Sequence, residues 1–185
     1  MASLRMILKR LRRDQRGVSA VEFALIAPVL ILFYFGLAEA TQVMIAERKT
    51  IRAASAVGDL IAQNTQVTTG NIDDIFKMSD VLMKPFPATT QLKICVASIV
   101  ADANNVKTVA WSRAKNGAAC PAKNAAVSNA DIPSDLIAAN QSLVMSRVTY
   151  VYTGVSNKVI QTNPTFTKTF YLRPRRSHTV TCTGC

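Results

Sequence analysis

A chain of 185 residues holds one ordinary domain and an appendage, since a single core takes roughly 100–200 residues. Its net charge of +11 overstates the basic character, because the first 17 residues carry six Lys/Arg against one Asp, a net of +5, and leave +6 for the remainder. Those later positives are scattered apart from Arg173, Arg175 and Arg176, whereas a nucleic-acid footprint needs cations clustered on one face, so nucleic acid is not an expected partner.

Arg5, Lys9, Arg10, Arg12, Arg13 and Arg16 lead to Gly17, and an apolar run follows from Val18 to Leu37 with Glu22 as its only charge. Those 20 residues make about 30 Å of helix, which matches the hydrocarbon thickness of a bilayer. Basic residues flanking a first span stay cytoplasmic, while the far flank is balanced by Glu39, Glu47, Arg48 and Lys49, so the rest of the chain is expected outside. A carboxylate within such a span costs about 2.5–3.5 kcal/mol on insertion scales and normally has a specific partner. The plainer reading of Glu22 is a side chain that snorkels to the interface. Ala20, Ala24, Ala27 and Gly36 fit helix filler and close helix packing equally well.

Residues 12–17, Arg-Arg-Asp-Gln-Arg-Gly, followed by residues 18–28, Val-Ser-Ala-Val-Glu-Phe-Ala-Leu-Ile-Ala-Pro, resemble the N-terminus of the TadE-like proteins, minor pseudopilins of bacterial Tad (Flp) pili. The resemblance is dense over residues 11–62, with thinner echoes at Trp111-Ser112-Arg113, Val148–Tyr152 and Tyr171–Arg176. It implies a leader, residues 1–17, that prepilin peptidase cuts between Gly17 and Val18. It also implies that Glu22 is needed for assembly, beside Phe23, which stands where major Flp pilins usually carry tyrosine. That departure and the large following domain point to a minor subunit. By the resemblance the chain crosses the inner membrane once with its head in the periplasm. Its expected partners are the peptidase, other pilus and minor pilin subunits and membrane lipid, in the initiation, assembly or tip of an adhesive pilus. The competing reading is a secreted or periplasmic binding protein cut after Ala40 by a signal peptidase, since Ala38-Glu39-Ala40 fits a small-residue site. Against it, the apolar run contains Glu22 and exceeds the usual signal core of about 7–15 residues.

Beyond the span, Met44, Ile51, Ala54, Val57, Gly58 and Ile61 recur at helical spacing, which predicts one helix over 18–63, membrane-spanning over 18–37 and on the order of 68 Å long. Pro28 removes a backbone donor and predicts a kink or loosened turn. Residues 63–70 read as a break. Asn71 is the expected N-cap of a second helix, with Asp73 and Asp74 in its first turn and Ile72, Ile75, Phe76, Leu82 and Met83 as its buried face. Pro85 and Pro87 end it. Strand patterns follow at Leu92–Ala97 and Val106–Arg113, joined by a hairpin loop at 101–105, then at Leu143–Thr153, Phe166–Leu172 and His178–Cys182. Residues 117–140 read as a long surface loop with one helical turn at Ser134–Ala139, and 154–164 as another loop. The expected fold is α+β: a long N-terminal helix, then a head over 64–185 with a short helix packed on an antiparallel sheet of four or five strands.

Cys95, Cys120, Cys182 and Cys185 suit an oxidising compartment. Four cysteines allow three pairings, which sequence alone does not choose between; Cys95–Cys120 and Cys182–Cys185 are favoured because the first closes the base of a hairpin and the second is local. Cys182 and Cys185 have C-x-x-C spacing, but the helix that would lower the thiol pKa is not expected after them, and a structural disulfide is the expected role. Zinc would need all four together. His178 is the only histidine and has no triad partner near it in sequence. No enzyme chemistry, metal or cofactor is expected.

Overall fold

The computed structural model describes residues 17–128, 132, 136–154 and 163–185. Most of the expected leader, the start of the expected helical turn at 134–139 and most of the loop at 154–164 lie outside them. The chain divides into two compact units, Met1–Thr41 and Gln42–Cys185. Helix α1, Val18–Ala62, contains Pro28 and contributes to both. In the second unit follow β1, Gln66–Thr68; α2, Thr69–Met83; β2, Leu92–Ala101; β3, Lys107–Lys115; β4, Ser142–Val151; β5, Thr165–Leu172; and β6, Thr181–Thr183. The α+β class is as the sequence predicts.

Helix α2 starts three residues before the expected site. Thr68 is its N-cap, accepting from the Asn71 N–H, while the Asn71 side chain accepts from the Thr68 N–H at 3.1 Å. Asn71 is therefore the third residue of a capping box, and Asp73 and Asp74 sit beyond the first turn. The threonine hydroxyl does the work assigned to the asparagine, accepting from the Asn71 N–H at 3.2 Å. Ile72, Phe76 and Met83 are buried and Ile75 partly so, as expected, but Leu82 of the expected inner face is exposed.

Four strands pair antiparallel in the order β3-β2-β4-β5. Strand β6 does not join them. It pairs in parallel with β1, through Gln66↔Thr181, Val67↔Cys182 and Thr68↔Thr183. Three residues are too few to show alternation, so β1 is invisible as a pattern and β6 has no visible partner.

One face of the sheet carries α1 and α2. Leu92, Ile94 and Val96 of β2 and Val144, Val148 and Tyr150 of β4 form a core with Ala54, Val57 and Ile61 of α1 and Phe76 of α2. Gly58 sets how closely α1 approaches: a Cβ there would overlap Leu172 Cδ1 and lie 3.1 Å from Ser146 Cβ. The backbone of Arg175 donates to the Ala62 carbonyl at 2.9 Å, satisfying one of the acceptors left over at the helix end.

The opposite face is buried too. Cys95, Ala97, Ile99 and Ala101 alternate with the first set along β2, and with Leu143 and Met145 they pack under Ile132, Ile137, Ala118, Ala125 and Val127. The described residues of the 117–140 stretch are loop, as expected, and in addition cover this face of the sheet. Its backbone is anchored along β3 by the bridge Thr108↔Ala126 and by Val109 N–H to Ala125 O, 3.0 Å, and Val127 N–H to Lys107 O, 2.9 Å. Small residues read as loop because each buries little, but a sheet with two apolar faces needs a second layer.

Candidate functional site

The first turns of α1 carry the residues singled out in sequence. Val29, Leu30, Ile31, Leu32 and Phe33 are consecutive and all exposed, and five residues pass more than once round a helix. Phe23 is 70% exposed. One window of α1 reaches a mean hydropathy of 2.2 with none of it buried within the protein. A helix apolar on every side is covered by lipid or by other helices, so α1 is long and apolar enough to serve as a membrane anchor.

Glu22 is exposed on this surface. It lies one turn after Val18 and one turn before Ile26, and such positions share a helix face. Among the described residues no atom lies within 4 Å of where a Cβ at Gly17 would lie, so they make no steric demand for glycine there.

The structure pairs Cys95 with Cys120, Cα–Cα 5.4 Å, and Cys182 with Cys185, Cα–Cα 5.8 Å. The first staples the covering layer to β2. The second closes the end of β6 beside the cap of α2, where the Gly184 Cβ position lies 3.5 Å from Thr69. Two separate bridges leave no four-cysteine zinc set, and among the described residues no group of three or more His, Cys, Asp or Glu is arranged to hold a metal. The ring of His178 is exposed, and its carbonyl accepts from the Ser142 hydroxyl.

Several head cations are matched to acids: Arg113 to Asp73, 3.3 Å, Lys115 to Asp80, 2.5 Å, Lys168 to Glu47, 2.6 Å, and Arg175 to Asp59, 2.5 Å. Sequence reading missed these pairs. Only the i, i+3 pair Lys77–Asp74 had a local signal, because the others join residues far apart in the chain. The indole N–H of Trp111 donates to the Val180 carbonyl at 2.7 Å, so Trp111-Ser112-Arg113 serves the head's own structure.

A family model for TadE-like proteins matches residues 17–59. The match begins at Gly17, takes in Val18, Glu22 and Phe23, and ends near the close of α1. No curated protein and no solved structure matches the chain. The segment from Gly17 to Asp59 is TadE-like and points to a component of a Tad pilus.

Proposed function

We propose that this chain is a minor pseudopilin, anchored in the inner membrane by the first half of α1 and acting with its head in the periplasm or on the pilus. Prepilin peptidase removes the leader between Gly17 and Val18. The observation that carries this reading is one acid in an uncovered, all-round apolar helix, five residues after a glycine, inside the TadE-like segment.

The chemistry follows from what the cut creates. Val18 gains a free ammonium at the start of a helix whose surroundings are lipid or other apolar helices, and Glu22 places a carboxylate one turn further on. Each charge alone is costly in a low-dielectric environment. The Glu22 of one subunit meets the Val18 ammonium of its neighbour, so both costs fall together and the axial register of the packed helices is set. Phe23 offers its ring beside that contact. The partners are prepilin peptidase, other pilus and minor pilin subunits and lipid, and the role is initiation, assembly or tip formation of an adhesive pilus.

The signal-peptide alternative has less support, because α1 passes through Ala40 and Thr41 as helix.

Glu22→Gln tests the pairing. It keeps shape and hydrogen bonding and removes the charge. Membrane insertion and cleavage after Gly17 are expected unchanged, while co-purification with other pilus subunits falls about a hundred-fold or more, as removal of one partner of a buried pair costs about 3–5 kcal/mol. Normal incorporation of the Glu22→Gln chain would assign Glu22 to the interface and leave assembly to helix packing alone.

A further inference from the structure

The two edges of the four-stranded sheet are treated differently. The β3 edge is covered by the 124–127 segment, which also supplies Asn124 N–H to Val109 O at 2.8 Å. The β5 edge has no strand beside it among the described residues. Proteins usually guard such an edge with short length, proline, a bulge or a free lysine, because a row of unpaired N–H and C=O groups templates a further strand. Strand β5 has eight residues, no proline or glycine, and an unbroken register with β4. Its one charge, Lys168, is held by Glu47 at 2.6 Å and so does not guard the edge.

A groove opens beside this strand on the helix side. It is lined by Ile51, Arg52, Ser55 and Ala56 of α1 and by Phe170 and Leu172 of β5, and the Asp59–Arg175 pair borders it. From Ile51 to Asp59 the helix rises about 12 Å, the reach of three or four strand residues. Arg52 is exposed and has no ion pair among the described residues, and Arg48, one turn earlier on the same side, is also exposed and unpaired. The edge thus combines a strand side with no strand partner among the described residues, an apolar slot and positive charge without an ion pair there.

We propose that the β5 edge and this groove receive an extended strand from a different subunit, with alternate side chains apolar and one of the inward positions a carboxylate facing Arg52. A second copy of the chain is the poorer occupant. Strand β5 contains no acid and is followed by Arg173 and Arg175, so pairing two β5 edges brings cations together. Strand addition draws affinity from main-chain hydrogen bonds and specificity from pockets for alternate side chains, and the groove supplies such a pocket. The inference deepens the subunit reading by naming the surface and partner chemistry, and its test does not require pilus assembly.

The test uses the full chain in detergent and an eight-residue peptide that alternates Thr with Val, one Val being replaced by Glu. The expected result is saturable binding with slowed hydrogen exchange at amides within Thr165–Leu172. The same peptide N-methylated at alternate residues should bind at least about ten-fold more weakly, since it cannot complete the ladder. Arg52→Glu should weaken the Glu peptide about five-fold and favour a Lys version. Equal binding of the methylated peptide, or no change in β5 exchange, would mean an ionic contact only and overturn the proposal. So would absence of binding, or self-association through β5 that excludes the peptide. None of these outcomes bears on where the leader is cut.

Discussion

At Tyr150 a phenol lies fully buried under α1, and its hydroxyl has no hydrogen-bond partner among the described residues. Burial, and then the neighbouring Tyr152, push its pKa up to about 12 from 10.0. The folded form therefore keeps the proton after the unfolded chain has lost it. Stability from this group is complete below pH 10 and falls as pH rises from about 10 to about 12. Tyr150→Phe removes both the titration and an unsatisfied hydroxyl. Urea unfolding of this variant at pH 7 is expected to show stability unchanged or higher by about 1 kcal/mol, with a shallower decline between pH 10 and pH 11.5; a loss above about 1 kcal/mol at pH 7 would show that the hydroxyl has a stabilising partner. Nothing local in the sequence marks Tyr150 as different from Tyr152. Glu22 and Gly17 stand out in the sequence because a charge interrupts an apolar run and a glycine ends a basic one, while Gly58 shows there only as part of the apolar stripe and not as a close contact, since its neighbours Leu172 and Ser146 come from distant strands.

Among the elements, α1 and the four main strands follow from periodicity. Their side chains repeat at 3.6 or 2 residues over lengths that leave little choice. The capping of α2 was three residues off because two polar groups of similar capacity, Thr68 and Asn71, stand at either side of the same turn, and both act in the capping box. Strands β1 and β6 rest on one another, so neither is legible alone. The described part of 117–140 is loop, as expected, but its packing over the sheet leaves no periodic signal. The bridge Cys95–Cys120 closes a separation of 25 residues, which on loop-entropy estimates contributes about 3 kcal/mol. Replacing both cysteines by serine should lower the unfolding free energy by about that amount and increase hydrogen exchange in the β3 edge paired with 124–127. The equivalent change at Cys182 and Cys185, a separation of 3, should cost less by the same relation. If the two double variants are equally destabilised, the first bridge is not what secures the second layer.

For the whole molecule, the sequence separates an uncovered apolar helix from a head whose apolar faces are both covered by its own chain. That contrast carries the functional account. The head offers ion pairs, two disulfides and a strand edge that is open among the described residues, and the TadE-like match stops near the end of α1, so it is the N-terminal segment that points to a Tad pilus component. The central claim is that the chain is processed as a pilin subunit, and the N-terminal sequence of the mature protein recovered from membranes tests it most directly. The account predicts that the mature chain begins at Val18. A mature chain beginning at Thr41, or one that still begins at Met1 or Ala2, would contradict it.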